Sequence, residues 1–195
     1  MTRKTATLLW LSAALYAIVA ISDLLFHPAD DKLLTTVGGY LFESLLMPYV
    51  LLTLAALWTL HRGHHGRDGR LGRVGIRVAG LGFIAFLAPA AATLGTGKTE
   101  ALGPVYFAAE LLTLVGVTLL GIGIGRAGVL PSWTGILLAG GWMLASPVAA
   151  HVTGVTLVGA AAFTMLGATV SRHVSRCSDA PLDATSRIDH TSRVS

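Results

Sequence analysis

Three acidic side chains, Asp23, Glu43 and Glu110, stand inside stretches that are otherwise almost wholly apolar. A charge at membrane depth costs about 2.5–3.5 kcal/mol on insertion scales, so it turns toward the interior of a helix bundle and usually has a task. A carboxyl among apolar and aromatic groups can be held protonated and serve as a general acid. Helical spacing supplies such neighbours. Asp23 shares a face with Tyr16 and His27, Glu43 with Tyr40 and Met47, and Glu110 with Tyr106 and Thr113. Aromatic faces beside an acid can also stabilise a developing cation. Glu110 is therefore the leading candidate acid, with Glu43 or Asp23 as its partner. Tyr16, Tyr40, Tyr106 and Trp142 are the candidate substrate-binding residues.

The elements that must position these groups follow from hydropathy. The chain has 195 residues, 53% apolar and 12% charged, with a mean hydropathy of +0.70. A soluble domain carries about 25% charged residues, so the apolar surplus has to face lipid. A span needs about 20 apolar residues, and six segments come near that length: 7–26, 39–60, 74–94, 105–125, 132–150 and 155–171. The first is read as a span rather than a cleaved signal, because no clean small-x-small site precedes Asp23. Pro104 and Pro131 stand where a helix best tolerates proline, at its start. Residues 172–195 are a Ser/Thr/Asp/Arg mixture too polar to offset its ordering entropy, which predicts a disordered tail. The predicted fold is all-α: a multi-pass bundle of six transmembrane helices over 1–171, followed by that tail.

Orientation comes from residues 61–73, which hold Arg62, Arg67, Arg70 and Arg73 against one acid, Asp68. Arginine-rich loops stay cytoplasmic. Alternating from there places Arg3, Lys4, Arg126, Arg172 and Arg176 inside and leaves Lys32 and Lys98 outside, so both termini are expected in the cytoplasm of a bacterial cell. Trp10, Trp58 and Trp133 then fall at inner ends and Tyr40 and Tyr106 at outer ends, as interface belts require, while Trp142 is an exception near mid-membrane. Asp23, Glu43 and Glu110 would all lie within roughly 10 Å of the outer face. Gly75, Gly80 and Gly82, and the G-x-x-x-G of Gly121 and Gly125, predict close helix packing.

Several chemistries are excluded or unsupported. One cysteine, Cys177, rules out an internal disulfide framework and a thiolate zinc site. The cluster of His27, Asp30, Asp31 and Asp23 matches no metal-ligand spacing. His61, His64 and His65 read as a basic turn, and His151 as either a helix-end residue or a complement to the acidic site. Pro48 and Pro89 predict kinks within spans. No Walker, dinucleotide, nucleophile-elbow or H-E-x-x-H motif is present. No inverted repeat supports a standard secondary transporter. The net charge of +4 resides in orientation signals, so no nucleic-acid partner is expected. No cofactor or metal is expected, and the partners are the bilayer and a lipid-soluble small molecule.

At LGRVGIR (71–77) and RAGVLPSWTG (126–135) the chain resembles a broad group of uncharacterised six-helix bacterial membrane proteins. That resemblance covers about the last two-thirds of the chain and implies no activity. More loosely, the chain is similar to the small integral-membrane terpene cyclases. Those are all-helical, usually with seven spans, and start cyclisation with acidic side chains instead of a metal. By residue type alone, Glu43 and Glu110 would be the acids. The expectation is an intramembrane enzyme acting on a lipid-soluble, isoprenoid-like substrate. The alternatives are a small transporter of a cationic solute, which the acid-free inner halves of the spans argue against, and a non-catalytic accessory protein.

Overall fold

The computed structural model describes residues 3–26, 37–64, 66–98, 102–145 and 155–178. Every element in it is a helix: α1 (Arg3–Phe26), α2 (Val37–Gly63), α3 (Gly69–Thr96), α4 (Gly103–Ala127), α5 (Trp133–Ala145) and α6 (Val155–Ser178). They coincide with the six apolar segments, extended by one to several residues at most ends. The breaks have local causes. Gly66 and Gly69 take positive φ in the turn between α2 and α3. Gly128 caps α4 in the left-handed region, three residues before Pro131.

The helices form a closed ring. Each packs mainly on its neighbours in sequence, and α6 returns to α1. Cross-helix contacts show that successive helices run antiparallel. Ser12 meets Thr53 and Tyr16 meets Tyr49 between α1 and α2. Gly121 meets Gly135, and Gly125 meets Ser132, where α4 turns into α5. Trp10 lies on Gly167 and donates to Ser171 Oγ at 3.2 Å. Arg3 and Ser175 line the same groove, so the first and last described helices begin and end at one end of the bundle. The turns after α2 and α4 lie there too. This end holds Arg3, Lys4, Arg62, Arg67, Arg70, Arg73, Arg126, Arg172 and Arg176, whereas Lys98 is the only Lys or Arg described at the other.

The tightest contact joins α3 and α4. A Cβ on Gly75 would come within 2.4 Å of Leu120 N, one on Gly82 within 2.6 Å of Thr113 N, and one on Gly116 within 2.1 Å of Ala79 N. On α3 the seam runs Gly72, Gly75, Ala79, Gly82 and Phe86; on α4 it runs Ala109, Thr113, Gly116, Leu120 and Gly123. The steps alternate between three and four, the 3.5-residue period of left-handed packing. Small residues here let two backbones touch, the main source of van der Waals attraction between helices in lipid. Gly80 is off the seam, with only Leu54 within ordinary contact.

The outside of the ring is apolar on all six helices, as Leu11, Leu51, Leu81, Phe107, Ile136 and Val158 show. Apolar surface this continuous requires lipid or a partner. Four helices, α1 to α4, are long and apolar enough to cross a membrane. The 13 described residues of α5 rise about 20 Å, short of the roughly 30 Å hydrocarbon core; the remainder of the predicted fifth span, 146–150, lies outside the described residues. The helix α6 continues to Ser178, past the predicted start of the disordered tail at 172. Val174 in that extension packs against the core, which accounts for the added helical turns. Residues 179–195 lie outside the described residues.

The buried hydroxyls of Ser12, Thr53 and Thr113 are satisfied inside the bundle. Ser12 and Thr53 share a hydrogen bond of 2.7 Å, a contact worth on average about 0.6 kcal/mol between membrane helices. Thr113 donates to the Ala109 carbonyl one turn back at 2.8 Å.

Replacing Gly116 with Ala should destabilise the protein by about 1–3 kcal/mol through overpacking against a neighbouring backbone. Gly80→Ala, which meets only a flexible leucine, should be close to neutral. Thermal unfolding of the two purified variants in the same detergent checks this, and equal melting temperatures would show that α3 and α4 are not in this register.

Candidate functional site

The interior is organised around aromatic rings. Tyr16 on α1 packs on Tyr49 of α2, with ring centres 4.9 Å apart. Tyr49 stacks on Trp142 of α5 at 6.3 Å and an interplanar angle of 9°. Trp142 meets the edge of Phe83 on α3 at 4.8 Å. Trp142 is thus a core residue of the ring, which explains its departure from the interface belt. Its indole nitrogen is buried with no hydrogen-bond partner among the described residues.

The carboxylates lie beside this column. Glu110 is buried on α4, and both Tyr49 and Tyr106 are within its electrostatic reach. Tyr106 also interacts electrostatically with Glu43, which is half-buried on α2, and its ring packs on Phe86 at 4.7 Å. Tyr106 is thus within electrostatic reach of two acids that stand on different helices. The α3–α4 seam sets this placement, because Glu110 lies next to Ala109 and one turn before Thr113, both pressed against Gly82.

The predicted site residues divide accordingly. Tyr16 and Trp142 belong to the aromatic column, while Glu110 and Glu43 are related to Tyr106 by electrostatic interaction. Tyr40 stands apart: it is exposed, and its hydroxyl lies 3.1 Å from where a Cβ on Gly97 would sit, at the C-cap of α3. The side chain of Asp23 lies outside the described residues, as do His27, Asp30, Asp31, His65 and His151. Tyr49 is the central residue that sequence reasoning missed. The available signal was a tyrosine ten residues beyond Gly39, far from either expected interface.

Space at this site is small. The void bordered by Tyr49, Phe83, Phe86, Thr113 and Trp142 has about 10 Å³, roughly the room one water needs. Larger openings are shallow grooves beside α5, of about 310 Å³ against α4 and about 430 Å³ against α6. Neither carboxylate nor any of the candidate tyrosines lines them. Of the two expected proline kinks, Pro89 is buried at the ring interior and Pro48 faces outward. The described residues contain no group of three His, Cys, Asp or Glu side chains able to hold a metal.

A second polar cluster occupies the turn between α2 and α3. Asp68 accepts a hydrogen bond from His61 Nδ1, and its side chain is fully buried. The carboxylate folds over the first turn of α3, in space that a Cβ on Gly72 would fill. His64, also fully buried, donates from Nδ1 to the Leu60 carbonyl at 2.7 Å. The remaining atoms, His64 Nε2 and Asp68 Oδ1, have no hydrogen-bond partner among the described residues. Burial pushes the His64 imidazole below its usual range, more than the Leu60 carbonyl and the nearby Asp68 raise it. From sequence Asp68 is only the single acid among the arginines of this turn; its withdrawal depends on the missing side chain of Gly72, four residues later.

No family model, curated protein or solved structure matches this chain. The two resemblances therefore rest on the quoted residues alone.

The His64 shift fixes a pH dependence. An imidazole with a lowered folded pKa binds its proton more readily once unfolded. The associated stability should be complete above about pH 6.5 and decline as the pH falls below that value. His64→Gln should flatten this slope. Melting curves of both proteins between pH 5 and 8 provide the check, and an unchanged slope would exclude His64 as the titrating group.

Proposed function

We propose that this is a bacterial inner-membrane protein of six spans, with both termini in the cytoplasm and a proton-handling site formed by Glu110, Tyr106 and Glu43 in its outward half. The apolar exterior of α5 and α6 supports six spans, since both expose large aliphatic side chains as α1 to α4 do. The collection of basic residues at one end supports the orientation. The function this reading favours is general-acid chemistry on a lipid-soluble substrate, isoprenoid-like by analogy to membrane terpene cyclases. Glu110 is the acid, Glu43 is its half-buried partner toward lipid, and Tyr106 relays between them. The observation that carries it is the single tyrosine in reach of two acids on different helices. Tyr16, Tyr49 and Trp142 would present aromatic faces to a developing cation. A substrate would have to part α2 from a neighbouring helix at Glu43, because the resting void is too small for it.

The packed interior favours a second reading, a non-catalytic accessory protein in which these side chains only hold the ring closed. Transport of a cationic solute receives less support. Leu57, Leu60, Ile76, Leu120 and Ile124 fill the basic half of the bundle and are essentially inaccessible.

The orientation is testable through Cys177, the single cysteine. A membrane-impermeant maleimide should label it only after cells are permeabilised; labelling of intact cells would invert the topology.

The chemistry is tested by comparing apolar lipid extracts of cells expressing wild type and Glu110→Gln. A cyclised or isomerised product should accompany the wild type and disappear in the variant, while the melting temperature changes little. Identical extracts from stable proteins would leave the accessory reading.

A further inference from the structure

The basic end of the bundle carries an arginine row without an ion-pair partner among the described residues. Arg70, Arg73 and Arg77 are exposed at i, i+3 and i+7 along one face of α3. They cover about 10 Å of helix. Arg73 Nε donates to the Gly69 carbonyl of its own helix at 3.4 Å. Among the described residues, none of the three forms an ion pair. The one acid of the preceding turn, Asp68, is buried and bound to His61. Arg62 is likewise held at the interface, over the Trp58 ring at 5.4 Å.

The same face of α3 continues with exposed Val74, Leu81 and Ile84. It therefore presents guanidinium groups for about two turns and aliphatic side chains beyond them. Arg77 stands eight residues inside a helix that crosses apolar surroundings, where an unpaired charge is costly and a counter-anion is most strongly drawn. Guanidinium forks match phosphate oxygens in pairs. A freely soluble phosphate would use the arginines and ignore the aliphatic strip, whereas an amphiphile uses both.

We propose that this face of α3 binds an anionic phospholipid, its phosphate held by Arg70, Arg73 and Arg77 and an acyl chain lying along Val74, Leu81 and Ile84. Among the described residues, withdrawal of Asp68 beneath the first turn leaves the row without an acidic competitor. The row ends at Arg77, five residues or about 8 Å before Gly82, but it lies on the exposed face of α3 and not on the seam that positions Glu110, so it does not depend on the chemistry proposed there. Glu110→Gln should bind the lipid as wild type does.

The test titrates the detergent-purified full chain with phosphatidylglycerol, phosphatidylcholine and inorganic phosphate, following retained adducts by native mass spectrometry and the melting temperature. Phosphatidylglycerol should remain bound and raise the melting temperature; phosphatidylcholine and inorganic phosphate should not. The triple variant R70Q/R73Q/R77Q should bind at least about tenfold more weakly. Arg126→Gln, which removes a charge from the same end but another helix, should bind normally. If the triple variant does not fold, Arg77→Gln alone should still weaken retention. Equal binding of phosphatidylcholine, wild-type binding by the folded glutamine variants, or equal loss in Arg126→Gln would overturn the site. Matching stabilisation by inorganic phosphate would overturn its assignment to lipid.

Discussion

The approach of α3 to α4 sets the rest of the bundle. Gly75, Gly82 and Gly116 leave no room for a side chain between the two backbones, so the register of these helices is fixed to within one residue. A shift would drive a Cβ into a main-chain atom at several levels at once. That register puts Ala109 and Thr113 against Gly82 and turns the intervening Glu110 away from lipid. It also brings Phe86 under Tyr106. The placement of Glu110 is thus set by the glycines of the seam, with Gly82 opposite its own turn and Gly116 six residues on.

The remainder of the ring is held by different means. Where α1 meets α2, two hydroxyls and two tyrosine rings replace backbone contact. Where α4 meets α5, a second pair of glycines returns. The centre is filled by large rings, and the resting void beside them is close to the size of one water. Such density suits a rigid scaffold. Any substrate chemistry must therefore open the bundle, and Glu43 stands at a half-buried edge of it.

The helices were legible because hydropathy dominates in a chain with so few charges, and four of the six are long and apolar enough to cross a membrane. Even the short fifth and sixth segments mark real helices. Close packing was legible in kind, since Gly75 and Gly82 were both picked out, but Gly80 was grouped with them. Composition shows an excess of glycine; only the alternating three–four spacing separates seam residues from Gly80. The pairing of Glu110 with Tyr106 follows from helical spacing alone. The link from Tyr106 to Glu43 does not, because it crosses between helices. Tyr49 and the burial of Asp68 were missed for the same reason: each depends on which faces meet, and periodicity within one segment carries no information about that.

Charge at the basic end has two separable consequences. Arginines near a helix end bias insertion whatever their exact position, since what counts is their number on each side. Position matters only for what they touch afterwards. Had Asp68 stayed at the surface, two residues before Arg70 and five before Arg73, it could neutralise part of the row without changing the orientation signal. Its burial costs a desolvated carboxylate, offset in part by His61 and by the N-terminal turn of α3. A fold that needed the arginines only for orientation would have no reason to bear that cost. Keeping an acid out of the row while retaining it in the turn is explained when the exposed guanidiniums have a ligand of their own.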